Sequence, residues 1–268
     1  MTNPSNPDSR RESGLISKVP QITLMFWVVK ILATTVGETG GDALSMSLNL
    51  GYAISSLILI AFFAVALTAQ IASERYHAIV YWLVVVATTT VGTTTSDYLD
   101  RTVGLGYVKS SIMLFCGVLL VLFIWRRVIG KVRFEDIATR KEELFYWLTI
   151  LVSNTLGTAL GDFVATSVGL GFDGGALIFS GQIAIVAAAR FWSKRIPASV
   201  LFWAAYILTR PLGATLGDTL TKPHGEGGLA LDRITSSLTI AAVMAVGIVF
   251  MSMRKDRRPR PSARTLLD

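Results

Sequence analysis

Followed for its apolar and polar positions, the chain is a series of apolar runs, each about 20 residues long and so long enough to cross a bilayer, separated by short polar stretches. The runs are of two kinds. One is apolar almost throughout, as in SIMLFCGVLLVLFIW; the other starts apolar and passes into small and hydroxyl residues that close on an aspartate. The second kind occurs four times, as WVVKILATTVGETGGD, WLVVVATTTVGTTTSD, WLTILVSNTLGTALGD and WAAYILTRPLGATLGD. Trp27, Trp82, Trp147 and Trp203 are each followed at the tenth position by a glycine (Gly37, Gly92, Gly157, Gly213) and at the fifteenth by an aspartate (Asp42, Asp97, Asp162, Asp218). A further glycine (Gly51, Gly106, Gly171, Gly227) stands nine residues beyond each aspartate, with no insertion in any copy. Such a fixed period marks an internal repeat.

This pattern predicts an all-α polytopic membrane protein: eight transmembrane helices, arranged as four parallel helical-hairpin repeats around a pseudo-symmetry axis. First helices are expected near 22–44, 79–99, 144–165 and 198–220, and second helices near 52–72, 107–127, 174–190 and 233–253. A single transmembrane domain would span 22–253 (repeats 22–72, 79–127, 144–190, 198–253), between a polar tail at 1–21 and a basic tail at 254–268. The second helix of the third copy is the least marked, because Asp173, Gly174 and Gly175 shorten its apolar run.

Composition agrees: 52% of the 268 residues are hydrophobic and 16% charged. The net charge of +7 does not point to nucleic acid, since 19 of the 25 Lys and Arg lie in the tails and inter-repeat loops, without aromatic interleaving. Basic loops beside short spans stay in the cytoplasm, so both termini are expected there and all four copies should cross in one direction. Residues 1–21 lack the apolar core and cleavage site of a secretory signal. A lone cysteine, Cys116, excludes an intrachain disulfide and thiolate metal clusters.

Composition cannot account for acids inside helices. With the tryptophans as interfacial markers, each aspartate falls ~22 Å along a hydrocarbon core ~30 Å thick, where a charge must face protein or water. Small-xxx-small pairs (Gly37 and Gly41, Gly92 and Ser96, Gly157 and Gly161, Gly213 and Gly217) allow the first helices to approach closely. Helical spacing places Thr35, Thr90 and Thr155 on the face of their aspartates. Glu38, Asp42, Asp97, Asp162 and Asp218 are thus candidate binding groups, with Lys30 and Arg210 as internal partners, gates or substitute cations. Five acids against two bases leave three negative charges that call for protons, bases or a bound cation. With carboxylate, hydroxyl and carbonyl ligands, the same five acids suit a hard or borderline metal ion such as Mg²⁺ or Mn²⁺, or a proton.

The four motifs, ending TTVGETGGD, TTTVGTTTSD, NTLGTALGD and RPLGATLGD, resemble those of a bacterial family of membrane-anchored proteins defined by a repeat of unknown function, over roughly residues 22–253. The resemblance implies a multi-pass protein of the bacterial inner membrane and no settled substrate. Pro211 and the loop KPHGEGG set the fourth copy apart.

The expected function is transport of a small cation, a divalent metal ion or a proton, using the intramembrane carboxylates. The alternatives are a structural or accessory membrane protein whose polar residues serve helix packing, and a transporter of a small organic substrate. No phosphate-binding glycine loop, HExxH, GxSxG or Cys-His pair is present, so no enzyme and no cofactor are expected. The partners expected are the lipid bilayer and the cation; a homo-oligomer is left open.

Overall fold

In a computed structural model, residues 20, 22–73, 76–130, 132, 137, 139–192 and 196–256 are described. Most of both tails lies outside them, as do Arg75, Lys131, Arg133, Lys194 and Arg195 of the inter-repeat loops. The described residues form eight long α-helices: α1 Leu24–Asp42, α2 Gly51–Ala72, α3 Ala78–Asp97, α4 Gly106–Ile129, α5 Arg140–Asp162, α6 Gly171–Trp192, α7 Ala198–Thr221 and α8 Arg233–Asp256. All but α1, which carries Lys30, Glu38 and Asp42, are long and apolar enough to cross a membrane, some of them together with the π-helical turn that follows. Asp173, Gly174 and Gly175 do not shorten α6, which takes them into its first turns.

Local chemistry explains the helix ends. Thr23 caps α1 by accepting the Phe26 amide, and Thr139 with Glu142 forms a capping box at α5. In the first three copies the α-helix runs unbroken to the aspartate and continues into one π-helical turn (Ala43–Ser47, Tyr98–Thr102, Phe163–Ser167). The glycine nine residues past each aspartate then has positive φ: 72° at Gly51, 73° at Gly106, 71° at Gly171 and 81° at Gly227. Left-handed backbone at the reversal between two helices accounts for a glycine there in every copy. In the fourth copy α7 stays α-helical to Thr221, and a tight loop pairs Leu229, Ala230 and Leu231 with Thr219, Lys222 and Leu220.

Helices α1, α3, α5 and α7 pack in sequence, and α7 returns onto α1, closing a four-helix ring. The glycines show how. A Cβ on Gly37 would collide with Thr89, one on Gly92 with Asn154, one on Gly157 with Arg210 and one on Gly213 with Thr34. Each copy's first glycine is therefore the socket for the residue seven past the tryptophan of the next copy, and the fourth copy closes onto the first. The second small residue repeats this one turn on, Gly41 against Thr93 and Gly217 against Glu38. Both contacts advance together along the two helices, so the ring helices are parallel and related by a pseudo-fourfold axis. Buried threonines stitch the ring across helices: Thr34 donates to the Thr209 carbonyl at 3.1 Å, Thr89 to Ala33 at 3.2 Å and Thr93 to Gly37 at 3.2 Å. Close backbone approach and interhelical hydrogen bonds are what hold helices together when lipid removes the hydrophobic drive.

Helices α2, α4, α6 and α8 form an outer layer. The expected hairpin is not how they pack: the two helices of one repeat barely meet, and α2 lies against α3, α4 against α5, α6 against α7 and α8 against α1. Each second helix thus covers the first helix of the next copy. The long polar face of a first helix is taken up by its ring neighbours, which leaves the groove between adjacent ring helices for the outer helix. About two thirds of each inner span tested is buried (67%), against 11–22% of each outer span.

Candidate functional site

Side chains on the ring axis stack in layers. At the tryptophan end, Phe26, Tyr81, Trp82, Tyr146, Trp147, Phe202 and Tyr206 interlock, with Tyr81 packed edge-on to Trp82 at 5.4 Å between centroids. Trp82 and Trp147 are 1% exposed and pack into the end of the ring, while Trp27 and Trp203 are partly buried. Just beyond this layer, Lys30 is fully buried, and its Nζ stands 4.3 Å from the centre of the Tyr206 ring. Its Nζ donates to no carboxylate or other hydrogen-bond partner among the described residues.

The next layer is held by Arg210. Its side chain leaves α7 over Gly157 and points along the axis, where Nη2 lies 3.0 Å from Glu38 Oε2 on α1 and 2.6 Å from Thr93 Oγ1 on α3, and also reaches Thr158 on α5. Glu38, Thr93 and Thr158 occupy the same position of three successive copies, so one guanidinium ties all four inner helices at one level. Arg210 is 1% exposed and Glu38 2%. Burying such a pair stabilises only when its hydrogen bonds are met, and the Thr93 hydroxyl supplies one more, to Glu38 Oε2 at 3.1 Å. The Nε and Nη1 of Arg210 meet no acceptor.

At the far end of the ring the four repeat aspartates converge in two pairs, each 1% exposed. Lys222 joins Asp42 (2.8 Å) to Asp218 (3.2 Å), and Arg101 joins Asp97 (3.3 Å) to Asp162 (3.6 Å). Arg101 and Lys222 each stand four residues after the aspartate of their own copy, the second and the fourth, and each reaches forward to the next copy. At this level the pseudo-fourfold ring is therefore twofold. Arg233 adds a weaker contact to Asp42 at 3.7 Å. Neither oxygen of Asp162, nor Oδ1 of Asp42, receives a hydrogen bond.

The expected surplus of three negative charges is accordingly corrected: Arg101, Lys222 and Arg233, which follow the apolar runs, reach the repeat aspartates and add to Lys30 and Arg210. The signal was present as a base one helical turn after the aspartate in two copies. Glu38 and Asp42, Asp97, Asp162 and Asp218 are all buried at the ring, but not as one cluster. Among the described residues no group of three or more acid, histidine or cysteine side chains is placed to hold a metal ion. The five acids expected as metal ligands each lie beside a base, which relieves the repulsion among buried carboxylates with a tethered cation. Thr35, Thr90 and Thr155 are buried too, but their hydroxyls donate to carbonyls of their own helices, Ile31, Val86 and Leu151, rather than to the aspartates.

The four copies coincide with four matches to the Repeat of Unknown Function (DUF347), at residues 25–76, 80–130, 145–195 and 201–257. The chain belongs to that family. No curated protein and no solved structure matches it. In this chain each copy supplies a ring helix, a socket glycine, an aspartate and a left-handed glycine, and the copies differ in the bases that answer the acids.

Proposed function

We propose that this DUF347 protein is a membrane transporter of a small cation, a metal ion or a proton, that moves along the axis of the inner ring and exchanges with the bases clamping the aspartates. It lies in a bacterial inner membrane with both termini in the cytoplasm, the side to which the excess of tail and inter-repeat Lys and Arg assigns them. The observation that carries the reading is the convergence of four buried repeat aspartates in two pairs, each bridged by one base (with Arg233 more distant at Asp42), with carboxylate oxygens left over. Two carboxylates against one base favour uptake of a further positive charge, since an unmatched buried carboxylate costs several kcal/mol, roughly, in such surroundings. Arg210 and Glu38 close the axis below this layer, and passage requires that pair to part.

One observation favours the packing alternative: each of the five motif carboxylates lies within 4 Å of a base, four bases serving five acids, which would suffice to lock a bundle. Flux decides between them. The full chain in proteoliposomes is loaded and assayed for uptake of H⁺, Mn²⁺, Mg²⁺, Na⁺ and guanidinium, beside Asp42→Asn, Asp97→Asn, Asp162→Asn and Asp218→Asn. The transport reading expects uptake of one inorganic cation by the parent and a fall of about tenfold or more in at least one aspartate pair. Equal flux in all five proteins defeats the site assignment, and guanidinium uptake alone moves the cargo to small organic cations.

A further inference from the structure

The two clamped pairs are not equivalent. Lys222 is nearly buried, with its side chain 7% exposed, makes a 2.8 Å hydrogen bond to Asp42 and is reinforced on that side by Arg233. Arg101 is 30% exposed, reaches its two carboxylates only at 3.3 and 3.6 Å, and donates a 2.9 Å hydrogen bond to the Tyr52 hydroxyl on α2. Asp162, 1% exposed, receives no hydrogen bond on either oxygen, and Oδ1 of Asp97 receives none. One cluster is therefore tightly held, although Oδ1 of Asp42 and Oδ1 of Asp218 receive no hydrogen bond either. The other is gripped loosely by a base that already has a second anchor.

We propose that Asp97 and Asp162 form a divalent-cation site for which Arg101 is the tethered competitor, and that the Lys222 cluster is its fixed counterpart. The proposal deepens the cation-transport reading and rests on it for the purpose of the site. Arg101 carries one positive charge, and its withdrawal leaves two carboxylates from adjacent ring helices facing one another with a charge of −2. A hard divalent ion neutralises that pair. Mg²⁺ and ions like it are held by one or two carboxylates while keeping several waters, so two aspartates suffice once the partly exposed Arg101 side chain that covers them has swung away. Tyr52 supplies the resting place for the displaced guanidinium, through its hydroxyl and through its ring, whose centre lies 5.8 Å from the Arg101 guanidinium carbon. Binding of the ion and clamping by Arg101 exclude one another, so that the site carries a net charge of −1 when clamped and none when the ion is bound, and the aspartates are never left bare. Thr166, four residues after Asp162, replaces the base of the even copies and turns its hydroxyl to the Asp162 carbonyl, which keeps that carboxylate free of a second clamp.

Mn²⁺ binding by the full chain in detergent, read from loss of the free-ion EPR signal, tests this without reference to flux. Arg101→Gln is expected to bind Mn²⁺ about tenfold more tightly than the parent, because a competing positive charge has been removed at contact distance. Asp162→Asn, alone or with Arg101→Gln, is expected to abolish that binding while thermal unfolding shows a folded protein; Asp97→Asn, which changes the other ligand, gives the same readout should Asp162→Asn fail to fold. Arg190→Gln, which removes the same charge from an exposed position on α6, keeps the parent affinity. Equal affinity in the parent and Arg101→Gln, or tight binding that survives loss of either aspartate, overturns the proposal, as does a gain produced by Lys222→Gln in its place. Mn²⁺ binding of the expected pattern without any flux contradicts only the transport reading, and flux with unaltered Mn²⁺ affinity in Arg101→Gln contradicts only this one.

Discussion

The inner and outer helices come from the same repeats, yet they solve opposite problems. An outer helix such as α4 is apolar, little buried and free to present leucine, isoleucine and phenylalanine outward. An inner helix such as α3 buries seven polar residues among its fourteen buried ones, including Thr88, Thr89, Thr93, Ser96 and Asp97. In a soluble protein these polarities would be reversed. Here the difference teaches that polarity along an apolar span marks the protein-facing side, because lipid can match an apolar surface but cannot satisfy a hydroxyl or a carboxylate.

The largest effect expected from this contrast concerns glycine. Gly157→Val places methyl groups where the stem of Arg210 and the ring of Pro211 already lie, whereas nothing stands within 4 Å of a Cβ added at Gly181 on outer α6. Gly157→Val is expected to abolish or severely reduce folded, monodisperse protein, overpacking of ~1–3 kcal/mol being the minimum cost, and Gly181→Val to leave the melting temperature in detergent nearly unchanged. Similar loss at both sites would erase the distinction between ring and coat. Next in size is the axial ion pair. Arg210→Met or Glu38→Gln alone leaves a buried charge uncompensated and is expected to cost roughly 3–5 kcal/mol, while the double variant recovers much of that loss. Thermal unfolding in a double-mutant cycle measures the coupling, and simple additivity would show that the two groups do not meet. The smallest effect belongs to the entry of outer α8, where the Thr235 amide donates to Asp232 at 2.7 Å and holds that carboxyl below its usual range. A depressed folded-state value means that this contribution is present above the unfolded pKa of about 3.9 and lost as pH falls below it. Asp232→Ala is expected to lower the melting temperature slightly at pH 7 and by less at pH 3.

Much of this architecture was legible because the repeats keep register. Fixed spacing from Trp27, Trp82, Trp147 and Trp203 placed the eight helices, the socket glycines and the acid layer, since equivalent positions in parallel copies share a level. Which helix covers which was not legible. Loops of similar length join α1 to α2 and α2 to α3, and only the shape of the closed ring assigns α2 to α3. The bases were misplaced for a related reason. Arg101 and Lys222 lie past the last apolar residues and read as loop charges, although their spacing of four from Asp97 and Asp218 put them on the same helical face. Thr35, Thr90 and Thr155 show the converse limit: a shared face is necessary for contact, but each hydroxyl is already taken by its own preceding turn.

The most direct measurement is an anomalous difference map from crystals of the protein grown with Mn²⁺. The account predicts a peak between Asp97 and Asp162 with Arg101 turned toward Tyr52, and Lys222 still joining Asp42 to Asp218. Aspartates lying apart on separate outer surfaces, or a clamped Arg101 with no peak at saturating Mn²⁺, would contradict it.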